Sequence, residues 1–200
     1  MTNTYTYFIA NWKMFGLKKS VFGLKNVVNL TKSNNFKNIK IVYCPPVTIL
    51  SQFHQLTKKT KISLGAQNCH HEKNFGPHTG NINAKMIKDV GAKYVILGHS
   101  DSRNEGDTDE LINKKIKNAL LQNLKIIFCI GENLKERKNN KTFLVIKKQI
   151  FKGLENVKSI DNIIFAYEPV WSIGSGKVLT VDALHNDILN IKKIIQKKYK

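Results

Sequence analysis

Four polar side chains follow short apolar segments and belong to the types that can move a proton next to a carbonyl group. They are Asn11, Lys13, His99 and Glu168. A carboxylate such as Glu168 can remove a proton from the carbon beside a carbonyl, and an imidazole, ammonium or amide can stabilise the oxyanion that forms. Each of these residue types is common elsewhere in proteins, but their shared position after apolar segments favours proton-transfer chemistry.

The segment after Glu168 is the second chemical feature. Gly174 and Gly176 lie in a short glycine-flanked loop, where backbone amides are free to approach an anion. The end of this loop superficially matches the phosphate-binding P-loop, but Trp171 stands where that pattern needs its first glycine and Val178 follows Lys177. We therefore expect the loop Pro169–Lys177 to be a lid over a site at Glu168 rather than a nucleotide-binding loop.

Apolar segments alternate with longer amphipathic ones at intervals of roughly 30 residues, which predicts repeated β/α units around a parallel sheet. The predicted strands are Tyr5–Ala10, Ile39–Tyr43, Lys61–Ala66, Lys93–Leu97, Lys125–Ile130 and Asn162–Ala166. The predicted helices are Leu17–Thr31, Val47–Leu56, Ala84–Val90, Thr108–Leu121, Thr142–Val157 and Val181–Tyr199.

Functional groups of a parallel barrel collect at the carboxyl ends of its strands. Asn11 and Lys13 follow the first predicted strand, His99 the fourth and Glu168 the sixth, so we expect them at one end of the fold. The charged segment Lys135–Lys141 reads as an exposed loop, and no linker divides the chain. One domain over residues 1–200 is the expectation.

The charge of the chain is strongly basic, with a formal net charge of +19. Only Arg103 and Arg137 are arginines, and the lysines are spread over five of the six predicted helices, so we expect no nucleic-acid partner. No apolar segment is long enough for a membrane span and no signal peptide is evident, which predicts a cytoplasmic protein without a membrane partner.

The cysteines and histidines give little sign of a metal. Cys44, Cys69 and Cys129 lack the spacing of a zinc site, and we expect reduced thiols. His70, His71 and His78 are close in sequence, but their segment offers only Cys69 and Glu72 as further ligands. We expect no metal and no cofactor.

Six motifs are similar to motifs of the triosephosphate isomerase family and occur in the same order along the chain. They are Asn11-Trp12-Lys13-Met14, Gly65-Ala66-Gln67-Asn68, Thr79-Gly80, Gly98-His99-Ser100, Cys129-Ile130-Gly131-Glu132, and Tyr167-Glu168-Pro169-Val170-Trp171 with the loop to Lys177. The resemblance extends from Phe8 through Lys177 and into the following helix.

The resemblance implies an aldose–ketose isomerase of glycolysis and gluconeogenesis, acting on dihydroxyacetone phosphate and D-glyceraldehyde 3-phosphate. By resemblance, Glu168 is the catalytic base and His99 the neutral electrophile. Asn11, Lys13 and Gly174 are implied to bind the substrate, Gly174 through its amide on loop closure.

The implied fold is a TIM (β/α)8 barrel in incomplete form, with six of the eight β/α units and without strands seven and eight. The segment from Gln67 to Gly80 resembles the loop that inserts into a partner subunit, so a homodimer is implied. The alternative is a catalytically inactive truncated remnant that acts at most as a small-anion or protein-binding module.

Overall fold

The strands form where apolar residues run with little interruption. The computed structural model describes residues 5–31 and 37–199. Its strands are β1 (Thr6–Asn11), β2 (Ile39–Cys44), β3 (Ile62–Ala66), β4 (Tyr94–Leu97), β5 (Lys125–Ile130) and β6 (Ile163–Tyr167). Every residue of β4 is buried, as are all residues of β5 after its first, which is typical of parallel strands covered on both faces.

The sheet follows the chain order, β1-β2-β3-β4-β5-β6. The pairs β1/β2, β2/β3 and β3/β4 are parallel, with Thr6 opposite Ile39, Ile41 opposite Ile62, and Gly65 opposite Tyr94. The predicted α/β class with six parallel strands is confirmed, and each predicted strand end lies within one residue of the observed one.

The α-helices of the described residues are eight in number. They are α1 (Leu24–Leu30), α2 (Leu50–Thr57), α3 (Ala84–Asp89), α4 (Ser100–Asn104), α5 (Asp109–Leu121), α6 (Leu134–Lys138), α7 (Thr142–Gly153) and α8 (Val181–Lys198). Short 3-10 turns precede α1 at Lys18–Gly23 and α2 at Val47–Ile49, so the first part of each of those predicted helices has the tighter winding.

The prediction of a loop over Lys135–Lys141 is wrong for its first part, because α6 begins at Leu134. Asn133 caps this helix: its Oδ1 accepts from the Glu136 N–H at 2.9 Å, and the Glu136 carboxylate accepts from the Asn133 N–H at 2.8 Å. This reciprocal capping box satisfies two amides that a charged segment would otherwise expose.

Helix α7 ends four residues before its predicted end. The Asn113 side-chain amide donates to the carbonyl oxygens of Gly153 and Glu155, at 3.0 and 2.9 Å. The ring of Phe128 lies so close to Gly153 that an added Cβ would be 2.7 Å from it. A long-range contact therefore sets this helix end, and the local sequence pattern does not reveal it.

The chain divides into two compact units. Unit 1 comprises Met1–Ile96 and Asn118–Ile126, and unit 2 comprises Leu97–Lys117 and Ile127–Lys200. In unit 1 the core contains the buried side chains of β2 and β3 together with Phe53 of α2. In unit 2 the core contains Phe128 of β5 together with Ile112, Ile116, Ile146 and Ile150 of α5 and α7. The expectation of one domain stays a prediction.

Candidate active site

His99 is held by the start of helix α4. Its Nδ1 accepts a hydrogen bond from the Asp101 N–H at 3.1 Å, which makes His99 the N-cap of the helix. Only 9% of the side chain is exposed. Because Nδ1 is an acceptor, a neutral ring carries its proton on Nε2. That nitrogen lies 3.6 Å from Oε2 of Glu168.

Glu168 follows β6 directly, and its backbone is fixed by β5 and the residues after it. The Glu168 N–H donates to the Ile130 carbonyl at 2.9 Å, and the Val170 N–H donates to the Glu132 carbonyl at 2.9 Å. The side chain is 45% exposed. The backbone is therefore anchored while the carboxylate remains accessible to a substrate.

The two side chains form a donor and a base that face each other. A substrate that reaches both can give a proton to the Glu168 carboxylate while its carbonyl oxygen accepts a hydrogen bond from His99 Nε2. Donors placed where negative charge develops are among the strongest sources of catalysis. Unit 2 thus brings together two of the five site residues predicted from the sequence.

Gly131 allows the close approach of the two chain segments beside Glu168. A Cβ added at Gly131 would lie 1.9 Å from the Glu168 carbonyl oxygen. We expect Gly131→Ala to displace Glu168 and to destabilise the fold by about 2–4 kcal/mol, because backbone must move. Thermal unfolding measures this, with Gly23→Ala as control, since an added Cβ there meets nothing within 4 Å. Equal melting temperatures for the two variants would contradict the steric argument.

A buried polar network lies under the segment that follows Glu168. The Glu132 carboxylate is fully buried and accepts from the Trp171 indole at 3.0 Å and from the Tyr167 hydroxyl at 3.1 Å. Arg137 donates to Asp187 at 2.6 Å and lies 3.5 Å from Glu132. The network connects β6, α6 and α8 to the base of the predicted lid.

The charges of this network change the acidity of its members. Burial raises the pKa of Tyr167, and the carboxylates of Glu132 and Asp187 raise it further. Burial opposes the charge of Arg137, but the hydrogen bond to Asp187 and the negative charges of Asp187 and Glu132 together outweigh it, so the pKa of Arg137 rises. Tyr167 therefore stays a neutral donor and Arg137 a cation.

Removal of Arg137 is expected to leave two buried carboxylates without their cation. Breaking such a pair typically costs about 3–5 kcal/mol. We expect Arg137→Ala to lower the free energy of unfolding by an amount in that range, measured by urea denaturation. Lys152→Ala serves as control, because it removes only the exposed ion pair with Glu110. A loss no larger than that of the control would contradict a supporting role for Arg137.

The predicted lid begins with a 3-10 turn at Val170–Ser172. The hydroxyl of Ser175 donates to the Trp171 carbonyl at 2.9 Å and accepts from the Lys177 N–H at 3.1 Å. Gly174 and Gly176 have φ values of +67° and +70°, and an added Cβ at either would meet nothing within 4 Å. The tip of this loop is therefore open to solvent and suited to glycine.

Asn11 and Lys13 lie in unit 1, at the carboxyl end of β1. Asn11 Oδ1 accepts from the Lys13 N–H at 2.9 Å, and Lys13 has a positive φ of 50°. The side-chain amide of Gln67 donates to the carbonyl oxygens of Lys13 and Cys44, at 2.9 and 2.8 Å. These bonds fix the turn that presents Lys13.

The histidine cluster in unit 1 is a stack of rings. The ring centroids of His71 and His78 lie 4.2 and 4.7 Å from that of His70. Within the described residues, no group of three or more His, Cys, Asp or Glu side chains has the geometry to hold a metal ion. In the same part of the chain, no helix is both long and apolar enough to cross a membrane.

Some residues of the site have roles that sequence reasoning did not assign. Gln67, Glu132 and Tyr167 lie inside motifs that were recognised, but their contacts were not foreseen. Arg137 and Asp187 belong to no motif, and their ion pair joins positions 50 residues apart. The rarity of arginine in the chain was the only signal for Arg137.

Six β/α repeats along one sheet place the chain in the α/β class, and the imidazole opposite a carboxylate at a strand end is a pair of groups suited to proton transfer. Comparisons with known proteins give the particular family. The family model "Triosephosphate isomerase" matches residues 6–200. The chain belongs to the triosephosphate isomerase family, and it contains six of the eight β/α units of the family fold.

Individual relatives support the same assignment. The chain is 45% identical over 194 residues to the triosephosphate isomerase of Alkaliphilus oremlandii, covering 95% of this chain and 77% of the relative. It is 40% identical to the enzyme of Saccharomyces cerevisiae, with 96% and 77% covered. The crystal structure of triosephosphate isomerase from Bartonella henselae matches with a TM-score of 0.85 at 32% identity, covering 96% of this chain and 76% of that one.

Proposed function

We propose that the chain interconverts dihydroxyacetone phosphate and D-glyceraldehyde 3-phosphate through an enediolate, without a cofactor. Membership in the triosephosphate isomerase family supports the substrate. The observation that carries the proposal is the placement of His99 Nε2 at 3.6 Å from Glu168 Oε2. This pair supplies both the base and the donor that an aldose–ketose isomerisation needs.

In the forward step, a Glu168 carboxylate oxygen removes a proton from C1 of dihydroxyacetone phosphate. The electron pair of the C–H bond forms the C1–C2 double bond, and the carbonyl π electrons move to the C2 oxygen. His99 stabilises that oxygen by donating a hydrogen bond from Nε2. Glu168 then returns the proton to C2, while a proton passes from the C1 oxygen to the C2 oxygen. The net result is a shift of the carbonyl group from C2 to C1.

The lid of residues 169–177 has two functions in this proposal. The Gly174 amide binds the substrate phosphate when the loop closes, and the closed loop excludes water from the enediolate. The indole of Trp171 is held by the buried Glu132, which gives the first arm of the lid a fixed anchor. The open loop tip at Gly174 is compatible with a closing motion.

Substrate binding further involves Asn11 and Lys13. The family resemblance supports these roles, and the hydrogen bonds around Lys13 support a fixed backbone at this position. Lys13 supplies a positive charge for the anionic substrate and for the developing enediolate, and Asn11 positions the Lys13 turn.

A homodimer in the cytoplasm completes the proposal. The segment between Gln67 and Gly80 carries Phe75, which is 68% exposed, and unit 1 also exposes Met14 and Phe15. Exposed apolar side chains of this kind often belong to subunit interfaces. Light scattering during size-exclusion chromatography measures the assembly state, and a monomer at all accessible concentrations would contradict this part.

The activity is tested by adding D-glyceraldehyde 3-phosphate to the purified chain. Glycerol-3-phosphate dehydrogenase then reduces the dihydroxyacetone phosphate formed, and the loss of NADH absorbance gives the rate. We expect turnover that requires Glu168. A folded chain without turnover would overturn the proposal and favour the alternative, an inactive remnant that binds small anions or proteins.

A further inference from the structure

We propose that a lysine-lined cavity in unit 1 binds a small ligand that carries several linked phosphate groups. The cavity has a volume of about 710 Å³, within the usual range for small-molecule sites. Six lysines line it: Lys37, Lys40, Lys61, Lys88, Lys93 and Lys125. This proposal does not depend on the isomerase activity.

The topology of the sheet gathers these lysines. Lys61 and Lys93 directly precede β3 and β4, and Lys125 is the first residue of β5. Lys40 is the second residue of β2. Because the strands are parallel, their amino ends lie along one edge, and the Lys125 N–H donates to the Lys93 carbonyl at 2.9 Å. Lysines far apart in sequence thus line one cavity.

The charges around the cavity are not neutralised by carboxylates. Unit 1 contains only two acidic residues, Glu72 and Asp89, and neither lines the cavity. None of the ion pairs found among residues 5–31 and 37–199 involves any of the six lysines. A cleft lined by one sign of charge focuses its field and attracts counter-ions. The like charges of the six lysines repel one another, and a polyanion in the cavity reduces that repulsion.

The partners of individual lysines leave this charge in place. The Lys88 ammonium donates to the Asn123 carbonyl at 3.3 Å. The Lys40 ammonium lies 4.2 Å from the centroid of the Tyr5 ring. Both partners are uncharged, so neither contact neutralises its lysine.

The chemistry of the cavity favours linked phosphates over nucleic acid. Lysine acts as a point charge toward phosphate, whereas base reading typically uses the planar fork of arginine, and the cavity contains no arginine. Its aromatic residue, Tyr94, is 4% exposed and offers no free face for stacking a base. A compact polyphosphate matches several ammonium groups at once.

The cavity differs in place from the phosphate site of the proposed reaction. Asn11 and Lys13 lie at the carboxyl end of β1, whereas the cavity lysines lie at the amino ends of β2 to β5. Within unit 1 these are opposite ends of the strands. A polyphosphate at the cavity is therefore separate from a substrate at Lys13.

Isothermal titration calorimetry with inorganic tripolyphosphate tests the proposal on the whole chain. We compare Lys61→Gln/Lys93→Gln/Lys125→Gln with the control Lys18→Gln/Lys19→Gln/Lys73→Gln. Both variants lose three charges from unit 1, but the control positions are exposed and do not line the cavity. We expect the cavity variant to bind at least about tenfold more weakly, with a smaller salt dependence, and the control to bind nearly as the parent does.

Several results would overturn the proposal. The first is that the parent chain does not bind tripolyphosphate at millimolar concentration. The second is that both variants lose the same affinity for tripolyphosphate, which would indicate an effect of net charge alone. Tighter binding of single-stranded RNA through the same lysines would assign the cavity to nucleic acid instead. ATP in place of tripolyphosphate distinguishes a free chain of phosphates from a nucleotide.

A stability measurement keeps the test independent of folding problems. Removal of mutually repelling charges predicts that the cavity variant melts at the same temperature as the parent or higher. Tripolyphosphate is expected to raise the melting temperature of the parent and of the control, but not of the cavity variant. An equal rise in all three chains would contradict binding at the cavity.

Discussion

Replacement of Glu168 by glutamine is expected to lower kcat by about 10²–10⁴-fold, the usual contribution of a positioned general base. Glutamine keeps the shape of the side chain but cannot accept a proton from C1 of the substrate. The backbone bond from the Glu168 N–H to Ile130 does not involve the side chain, so the fold should be unchanged. We therefore expect the loss in kcat without a change in melting temperature.

Steady-state isomerase kinetics of the purified variant measure this loss. Glu155→Gln is the matched control, because it makes the same chemical change at an exposed position outside the site. The control should keep the parental kcat. A Glu168→Gln variant with more than half of the parental kcat would show that another group removes the proton.

The second large effect is expected from His99→Asn, with kcat reduced by about 10²–10³-fold. Asparagine is a good N-cap, so its side chain can replace His99 Nδ1 as acceptor for the Asp101 N–H. Its shorter side chain cannot place a donor where His99 Nε2 lies. The substitution thus separates the capping role of His99 from its role toward the substrate.

The test of His99→Asn needs kcat and KM measured separately, together with a thermal melt. We expect the loss mainly in kcat, since the donor acts on charge that develops during reaction, and a melting temperature close to that of the parent. His185→Asn, at an exposed position on α8, is the control. If His99→Asn lowered the melting temperature sharply and kcat little, His99 would be a structural cap only.

The sequence allowed a good prediction of the strands, because buried parallel strands are continuous apolar segments. It did less well for helix α6 and for the end of helix α7. Helix α6 depends on the capping box of Asn133 and Glu136, which is a local signal that the charged composition obscured. The end of α7 depends on Asn113, 40 residues from Gly153, and no local pattern carries that information.

The candidate site likewise contains residues that the sequence identified and supporting contacts that it did not reveal. His99 and Glu168 could be chosen because each follows a strand inside a specific motif, and the structure places them 3.6 Å apart. The support of the site by Gln67 and by the pair of Arg137 and Asp187 could not be predicted, because those contacts join residues 54 and 50 positions apart. Their geometry depends on the folded chain.

The lysines illustrate how topology changes the meaning of composition. Along the sequence they look evenly scattered, and this argued against a nucleic-acid partner. Parallel strands bring the segments at Lys40, Lys61, Lys93 and Lys125 to one edge, and six lysines then line one cavity. Spacing along the chain did not reveal this cluster, because it depends on which strand ends become neighbours.

The central claim is that Glu168 moves a proton at C1 of the substrate. Proton NMR of dihydroxyacetone phosphate in D₂O, with the 200-residue chain as catalyst, measures deuterium incorporation at C1 directly. We predict incorporation well above the buffer rate for the parent chain and for Glu155→Gln, and a rate about 10²–10⁴-fold below the parental one for Glu168→Gln. Incorporation by the parent chain at the buffer rate, or equal incorporation by Glu168→Gln, would contradict the account.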